Sequence, residues 1–536
     1  MTVTETRPET TADEAEALPE PAPTSRGLPA VLGSGDHKVV GRLWIAFSFL
    51  FALVGLGTAV LLDAEGADLG SYSILGTDTF FQVFTLYRVV AVFLVVIPLF
   101  IGIATYVVPL QVGARSIALP RAAAAAFWTW LVAGGIVVAS YAINGGPGGG
   151  EADGVDLWVV SFGLLLVALV AASISIATTV LAERVEGMTL TRIPLFAWSM
   201  LVAASVWILS LPVLGANLLV IYLDHRYGQQ LFGVDADIWP QVAWAFNQPQ
   251  IYAAAIPALG VIGEIFPVAC GGRPRYRQGA MIAIGLFGIL AFGAWAQPYF
   301  NAEARDDILF IGVALAAVLP VLALLSVVGE TARANRPSLN APFVLANAAL
   351  LLLLGATVAG ATAVIEPLGL LDTTFSTGQM NLTLLAALVA GLAGLWYWMP
   401  KIAGAPAANG AGYLSALAVL GGAALVALGN LWSGLLDQPQ VLTGDYSPRD
   451  GVEVLNLASA AGFALVLLGV VIAALALVGA ARKGQVTDPA DREDDPWGGQ
   501  TLEWATSSPP PWNNFTDDPG PVLTASPLLD AAEEGA

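Results

Sequence analysis

The stretch FTLYRVVAVFLVVIPLFIGIATYVVPLQVGARSIALPR, residues 84–121, decides the fold class of this protein. No charged residue lies between Arg88 and Arg115. The hydrocarbon core of a bilayer is about 30 Å thick, and an α-helix needs roughly 20 apolar residues to cross it. The stretch therefore predicts a membrane-spanning helix followed by a short basic loop.

The rest of the chain has the same character. Its 536 residues are 57% hydrophobic and only 12% charged, a composition far more apolar than that of a soluble domain. About twelve apolar runs are long enough to span a bilayer, so we predict an all-α polytopic membrane protein with a twelve-transmembrane-helix bundle. The runs begin near Leu43, Phe84, Ala122, Val155, Pro194, Val242, Gly279, Ile308, Pro342, Ser376, Tyr413 and Leu455.

Basic residues are distributed unequally between the two sets of loops. With the N-terminus placed inside, the inner side carries 14 Lys and Arg and the outer loops carry 3. Cytoplasmic loops of membrane proteins are enriched in these residues. We therefore predict that both termini are cytoplasmic and that the chain crosses the cell (plasma) membrane, with the lipid bilayer as its first partner.

The net charge of −20 is concentrated at the two ends of the chain. Of 41 acidic residues, 7 lie in residues 1–36 and 11 in residues 484–536. We predict three parts: a disordered acidic N-terminal tail (1–35), a membrane domain (36–483) and an acidic, Pro-rich cytoplasmic C-terminal tail (484–536). Such a negative chain is not expected to bind nucleic acid.

Residues that bind metals are scarce. The chain has one cysteine, Cys270, and two histidines, His37 and His225. One cysteine forms neither an internal disulfide nor a thiolate cluster. Histidine is the commonest protein ligand of transition metals, so its scarcity limits the redox chemistry that this chain can support.

Four stretches resemble subunit I of the haem-copper oxidases, the catalytic subunit of cytochrome c oxidase. They are DHKVVGRLW (36–44), YVVPLQVGARSIALPR (106–121), LWYWMPKIAG (395–404) and PWGGQTLEWATSSPPPWNNF (496–515). The resemblance runs over residues 36–515. It implies the twelve-helix fold of that subunit, and for an active member it implies two haems, a copper ion, oxygen reduction and proton pumping.

The resemblance fails at the metal ligands. It implies six intramembrane histidines, and two histidines cannot supply six ligands wherever they fall. In WAFNQPQIY (244–252), Gln248 stands at the implied copper ligand and Gln250 at the proton-carrying glutamate. The vestigial haem and copper pocket consists of Tyr87, Gln248, Gln250, Tyr252, Gln297, Pro298, Gln379 and Asn381. We therefore expect no catalytic residues, no metal site and no cofactor, with haem and copper bound only if the family function is retained.

Two interpretations of these substituted positions follow. Tyr87 is the one candidate haem ligand, as a phenolate whose pKa is lowered by Arg88. The favoured alternative is an interfacial Tyr–Arg pair that anchors its helix near the headgroups. The carboxamides are predicted to hydrogen-bond to one another or to water, and so to join helices six, seven and ten where the metals would lie.

Three functions remain open on this sequence. The first is a non-catalytic, pseudo-oxidase subunit of a membrane complex, with partners that resemble oxidase subunits II and III. The second is an active terminal oxidase subunit I with atypical ligands. The third is a transporter or proton-conducting module that uses Glu264, an intramembrane carboxylate. The segment SSPPPWNNF (507–515) suits docking in a groove on a partner or at the lipid surface.

Overall fold

The computed structural model describes residues 31, 33–67, 75–229, 231, 242–295, 308–442, 449–484 and 495–534. Helices dominate these residues, and the part of the chain so described contains no β-strand, only an isolated bridge between Thr373 and Pro439. The membrane helices are α1 (His37–Gly66), α2 (Thr79–Gln111), α3 (Pro120–Ala142), α4 (Ala152–Ala182), α5 (Leu195–Tyr227), α6 (Ile256–Ala269), α7 (Arg277–Trp295), α8 (Ile308–Ala334), α9 (Ala341–Ala363), α10 (Thr374–Ala403), α11 (Asn409–Leu435) and α12 (Val452–Lys483).

The predicted all-helical membrane fold is confirmed. Within the described residues, ten helices are long and apolar enough to cross a bilayer, while α6 and α7 are shorter apolar helices. The sixth run was expected to be helical from Val242, but residues 244–254 form two short 3-10 segments before α6 begins. Twelve complete crossings, and the side on which the termini lie, stay predictions.

Helix ends follow local signals in the sequence. The Asp36 side chain accepts a hydrogen bond from the backbone N–H of Lys38, which satisfies a donor in the first turn of α1. The Thr373 hydroxyl does the same for α10. Helix α10 ends at Gly404, where φ is 75°, a left-handed conformation that glycine adopts without steric cost. These caps set the lengths of two helices that carry candidate site residues or their contacts.

Helices α2 and α10 form the centre of the bundle. In the most apolar part of α2 and of α10, every residue is buried. In the corresponding part of α1, α3, α5, α11 and α12, only 39% of the residues are buried. Apolar side chains gain little from leaving lipid for a protein interior, so close packing and hydrogen bonds hold such helices together. A polar side chain on α2 or α10 therefore faces other helices, where it needs a partner.

The C-terminal segment of residues 495–534 packs against one end of the bundle. We call this the basic end, and it holds the start of α1 and the ends of α2 and α10. The Lys401 ammonium donates to the carbonyl oxygen of Thr506 over 2.6 Å, and Asn514 Nδ2 donates to the carbonyl oxygen of Ala114 over 2.8 Å. His37 Nε2 lies 3.0 Å from Asn514 Oδ1. The segment SSPPPWNNF was expected to dock on a partner or at the lipid surface. It docks instead against the bundle of its own chain.

Candidate functional site

The polar stretch before α6 packs against α9. Gln248 Nε2 donates to the carbonyl oxygen of Gly360 over 2.8 Å, and the Tyr252 hydroxyl donates to the carbonyl oxygen of Ala356 over 3.5 Å. Both side chains are buried. Two adjacent turns of α9 therefore accept hydrogen bonds from the position where the resemblance implies a copper ligand.

Gly360 makes this close approach possible. A Cβ atom at that position would lie 2.7 Å from Gln248 Oε1 and would clash with the Tyr252 hydroxyl. Both neighbours are fully enclosed, so neither is able to move away easily. Glycine at this position lets the backbone of α9 meet the two polar side chains directly.

A small cavity lies between Gln248 and α10. It has about 20 Å³ of free space, which suits roughly one water molecule. Gln248 Oε1 is buried beside it and accepts no hydrogen bond from the described part of the protein. The lining residues are Arg88, Phe246, Asn247, Gln248, Phe310, Leu371, Ser376, Gln379 and Gln440.

The carboxamides bind to separate partners. Gln379 Nε2 donates to Thr383 Oγ1, one turn further along α10, over 3.2 Å, and the Gln379 side chain also contacts the Tyr252 hydroxyl. Asn381, two residues away, faces α2 and α11 instead. Gln248, Gln379 and Asn381 therefore do not hydrogen-bond to one another as predicted, and Gln379 and Asn381 diverge because side chains two apart on a helix point in different directions. The alternative, bonding of the carboxamides to water, stays a prediction.

Asn381 is the centre of a second polar cluster. The Tyr87 hydroxyl donates to Asn381 Oδ1 over 2.7 Å, and Asn381 Nδ2 donates to Asn430 Oδ1 over 2.7 Å. Asn430 Nδ2 then donates to Ser459 Oγ over 2.8 Å, and the Ser459 hydroxyl donates to the Asp63 carboxylate. This chain of side chains joins α2, α10, α11, α12 and α1, and we call it the five-helix network.

Three members of the five-helix network, Asp63, Asn430 and Ser459, were not identified as site residues from the sequence. Asp63 lies in the last turn of α1. Asn430 lies on α11 and makes three side-chain contacts. An Asp, an Asn and a Ser on three helices far apart in sequence share no spacing that would have grouped them.

The interfacial interpretation of Tyr87 and Arg88 is wrong. Both side chains are buried, because α2 occupies the centre of the bundle. Arg88 donates to Gln440 Oε1 over 2.8 Å, and its guanidinium lies 4.2 Å from the centroid of the Phe84 ring. Arg88 therefore binds the loop after α11, and Tyr87 binds α10, rather than lipid headgroups.

Glu264 caps a helix at the basic end. Its Oε2 accepts hydrogen bonds from the backbone N–H groups of Leu195 and Phe196, in the first turn of α5, over 3.0 and 3.4 Å. Its Oε1 accepts from the Thr501 hydroxyl over 3.1 Å. A carboxylate at a helix N-terminus is stabilised by the helix dipole, so these contacts give Glu264 a structural role.

A second carboxylate, Glu503, lies close to Glu264 and comes from the C-terminal segment. It is fully buried, and its Oε1 accepts from Gln111 Nε2 over 3.0 Å and from Trp398 Nε1 over 3.1 Å. Burial raises the pKa of the Glu503 carboxyl above its usual range, although the hydrogen bond from Gln111 opposes that shift. Glu503 therefore anchors the segment at the ends of α2 and α10.

The comparison with known proteins decides the family. Residues 39–483 match the family described as Cytochrome C and Quinol oxidase polypeptide I. The chain belongs to this family. The predicted resemblance is confirmed, and it covers all of the membrane helices from α1 to α12.

Relatives in this oxidase family span nearly the whole chain. A cytochrome c oxidase subunit 1 of Corynebacterium efficiens is 30% identical over 527 residues, which cover 94% of this chain and 90% of the relative. A putative cytochrome c oxidase subunit 1-beta of Streptomyces coelicolor is 30% identical over 521 residues, which cover 92% of this chain and 89% of the relative. This protein is therefore a membrane-spanning member of a family whose members are subunits of larger complexes.

A solved structure supports the same fold. The chain matches a haem-copper terminal oxidase dimer studied by electron cryo-microscopy, with a TM-score of 0.69. The match covers 93% of this chain and 89% of that chain at 15% sequence identity. At that identity the similarity establishes the fold, and the chemistry has to be judged from the side chains of this chain.

The side chains at the implied ligand positions do not fit the haem and copper of the oxidase family. Copper selects imidazole or soft sulfur ligands, whereas Gln248, at the implied copper ligand, offers a carboxamide that already donates to α9. Asn381, at an implied haem-ligand position, already hydrogen-bonds to α2 and α11. The two histidines lie elsewhere: His37 contacts the carbonyl oxygen of Thr105 at the basic end, and His225 pairs with Asp156. Gln297 and Pro298 lie outside the described residues. Among the residues described, no three His, Cys, Asp or Glu side chains are grouped to hold a metal.

Proposed function

We propose that this chain is a non-catalytic, pseudo-oxidase member of the oxidase subunit I family, which acts as a structural subunit in a membrane, respiratory complex. The five-helix network carries the proposal. Asn381 and Tyr87, which stand where the resemblance implies haem ligands, hydrogen-bond to each other and to α11. Their contacts hold helices together at the place where an active member would hold a cofactor.

Packing around these positions supports a structural role. Unfilled space inside a protein is destabilising, and the cavities beside Gln248 and beside Asn381 have only about 20 and 40 Å³ of free space. Interhelical hydrogen bonds in membranes contribute roughly 0.6–2 kcal/mol each. A chain of such bonds across five helices gives the bundle a source of stability that does not depend on a bound cofactor.

The finer assignments belong to the same proposal. We propose that the protein lies in the plasma membrane with both termini in the cytoplasm, as the excess of Lys and Arg at the basic end supports. Its proposed partners are membrane subunits that resemble oxidase subunits II and III. The proposed parts are a disordered tail (1–35), a membrane domain (36–483) and a C-terminal tail (484–536).

A spectrum tests the loss of cofactors. The protein is purified together with its native partners, and a reduced-minus-oxidised absorption spectrum is recorded alongside iron and copper analysis of the same sample. We expect no haem bands and less than stoichiometric metal in this chain. Stoichiometric haem or copper that remains with the chain after the partners are removed would overturn the proposal.

The two competing functions have less support in the contacts of their key residues. For haem ligation, Tyr87 would have to give up its hydroxyl hydrogen bond to Asn381. For proton transport, Glu264 would have to leave the two backbone N–H groups that it caps. Proton flux into liposomes that contain the purified chain, abolished by Glu264→Gln, would favour the transport function.

A further inference from the structure

A large apolar groove opens on the membrane-facing side of the bundle near the basic end. Its volume is about 500 Å³. Leu395, Met399 and Ile402 of α10 are buried and form its floor. Ile45 and Phe49 of α1 flank one side, and the other side is flanked by α12, through Ala474, Leu477, Val478 and Ala481.

The groove is long enough to hold a segment of a lipid acyl chain. Its α1 residues run from Arg42 to Phe49, which corresponds to roughly 10 Å along a helix at 1.5 Å per residue. Small side chains, Ala46 on α1 and Ala474 on α12, leave the space between the two flanking helices. Apart from Arg42, the lining side chains are apolar, so the occupant that fits them is a hydrocarbon.

Positive charge lies at the mouth of the groove. Arg42 is exposed at the end of the groove nearest the basic end, where its guanidinium donates to the carbonyl oxygen of Ile402 over 2.6 Å. Arg482 and Lys483 are exposed directly after Ala481, which lines the groove. Arg42 lines the groove, and two further cations follow Ala481 along α12. This positive charge next to an apolar channel complements a ligand with a negative head and a hydrocarbon tail.

We propose that this groove binds an anionic phospholipid, with one acyl chain between α1 and α12 and the phosphate beside Arg42. In this arrangement Arg42 pairs with the phosphate at one end of the lipid, and the apolar groove holds the acyl chain at the other end. The site is separate from the candidate functional site, because the two share no residue. The proposal does not rest on the pseudo-oxidase assignment.

Lipid binding is tested on the purified full chain in detergent. Phosphatidylglycerol and phosphatidylcholine with the same acyl chains are titrated in parallel, and bound lipid is counted by native mass spectrometry. We expect tight retention of phosphatidylglycerol and weak retention of phosphatidylcholine. Equal retention of the two lipids would overturn the role of the cations.

Two sets of variants separate the head from the tail. Ala46→Leu combined with Ala474→Leu fills the groove and is expected to abolish the tightly bound lipid, whereas Ala424→Leu, on the exposed face of α11, leaves it bound. Arg42→Gln is expected to weaken phosphatidylglycerol binding about fivefold, as the loss of one cation at a membrane surface does. Arg42→Lys keeps most of the affinity. Undiminished binding by the filled variant would overturn the proposal, as would cross-linking of a partner helix to Phe49 in the native complex.

Discussion

The membrane core and the basic end of this protein differ in how they relate to the family. The four stretches that resemble oxidase subunit I meet at the basic end, where Lys38 donates to the carbonyl oxygen of Trp512 over 2.9 Å and Trp497 Nε1 donates to that of Tyr397 over 2.9 Å. The implied ligand positions lie in the core. Family-like sequence is therefore found where the C-terminal segment docks, and departures are found where a cofactor would bind.

The difference extends to the type of polar group. The core network joins mainly neutral side chains, ending at one carboxylate, Asp63. The basic end buries charged groups, such as Lys401 and Glu503, whose partners come from the C-terminal segment or contact it. Buried charges depend strongly on a fixed geometry of partners, so the segment is expected to be an integral part of the fold.

The largest effect is expected in the core. Asn381→Leu removes the partner of both the Tyr87 hydroxyl and the Asn430 amide, and leaves them buried. Unpaired buried groups cost roughly 1–3 kcal/mol each, so we expect a loss of about 3 kcal/mol, measured as thermal unfolding in detergent. Adding Tyr87→Phe should recover part of that loss. Strictly additive effects of the two substitutions would show that the hydrogen bond between them is unimportant.

At the basic end, Lys401→Met is expected to cost about 2 kcal/mol, because a charged donor is removed from the Thr506 carbonyl oxygen. The ammonium also lies 5.3 Å from the centroid of the Trp504 ring. Limited proteolysis should then cut within residues 495–534 faster than in the unchanged protein. Lys483→Met, at an exposed position, is the matched control. Equal protection of the segment in both variants would contradict its docking through Lys401.

A smaller effect is expected from pH at Glu503. Burial raises the pKa of Glu503 in the folded protein, so the folded state holds a proton that the unfolded state releases at about pH 4.5. Stability is therefore lost as pH rises from that value through the raised pKa, and no further loss is expected above it. Glu503→Gln should flatten this part of the stability–pH curve. If the stability of the Glu503→Gln variant falls with pH as steeply as that of the unchanged protein, another group is responsible for the pH dependence.

The smallest effect is expected at Gln248. Gln248→Leu loses the hydrogen bond to the Gly360 carbonyl oxygen, but it also removes a buried oxygen that accepts no hydrogen bond from the described residues. The two changes nearly cancel, so unfolding should shift by less than about 1 kcal/mol. The comparison with Asn381→Leu is direct, since both replace a core carboxamide by leucine. A loss as large as that of Asn381→Leu would show that the two core clusters are equally important.

Much of the fold was predictable because its signals are local. Apolar runs of membrane length appear in the sequence itself, and ten of the predicted run starts lie within about six residues of the start of a helix long enough to span. The sixth run was less predictable. Its Gln–Pro–Gln sequence forms 3-10 turns, because Gln248 and Tyr252 bind the backbone of α9 instead of completing α6.

The candidate site was predicted by position and only partly by contact. The sequence placed Tyr87, Gln248, Gln379 and Asn381 at positions where the family resemblance implies ligands, and the structure shows all four buried. The sequence did not show that these four residues divide between two clusters. Tyr87 was assigned to the membrane interface because an adjacent Arg is typical of that location, whereas the central position of α2 depends on how the other helices surround it.

The sequence by itself determined that this is a polytopic helical membrane protein of the oxidase family, with too few histidines for the six ligands that the family resemblance implies. Composition and run length suffice for these conclusions, because they depend on residue counts and on neighbours along the chain. Only the tertiary structure decided that Asn381 joins Tyr87 to Asn430, that Glu264 caps α5, and that residues 495–534 dock at the basic end. Each of these contacts joins residues dozens to hundreds of positions apart, and their pairing follows from the packing of whole helices.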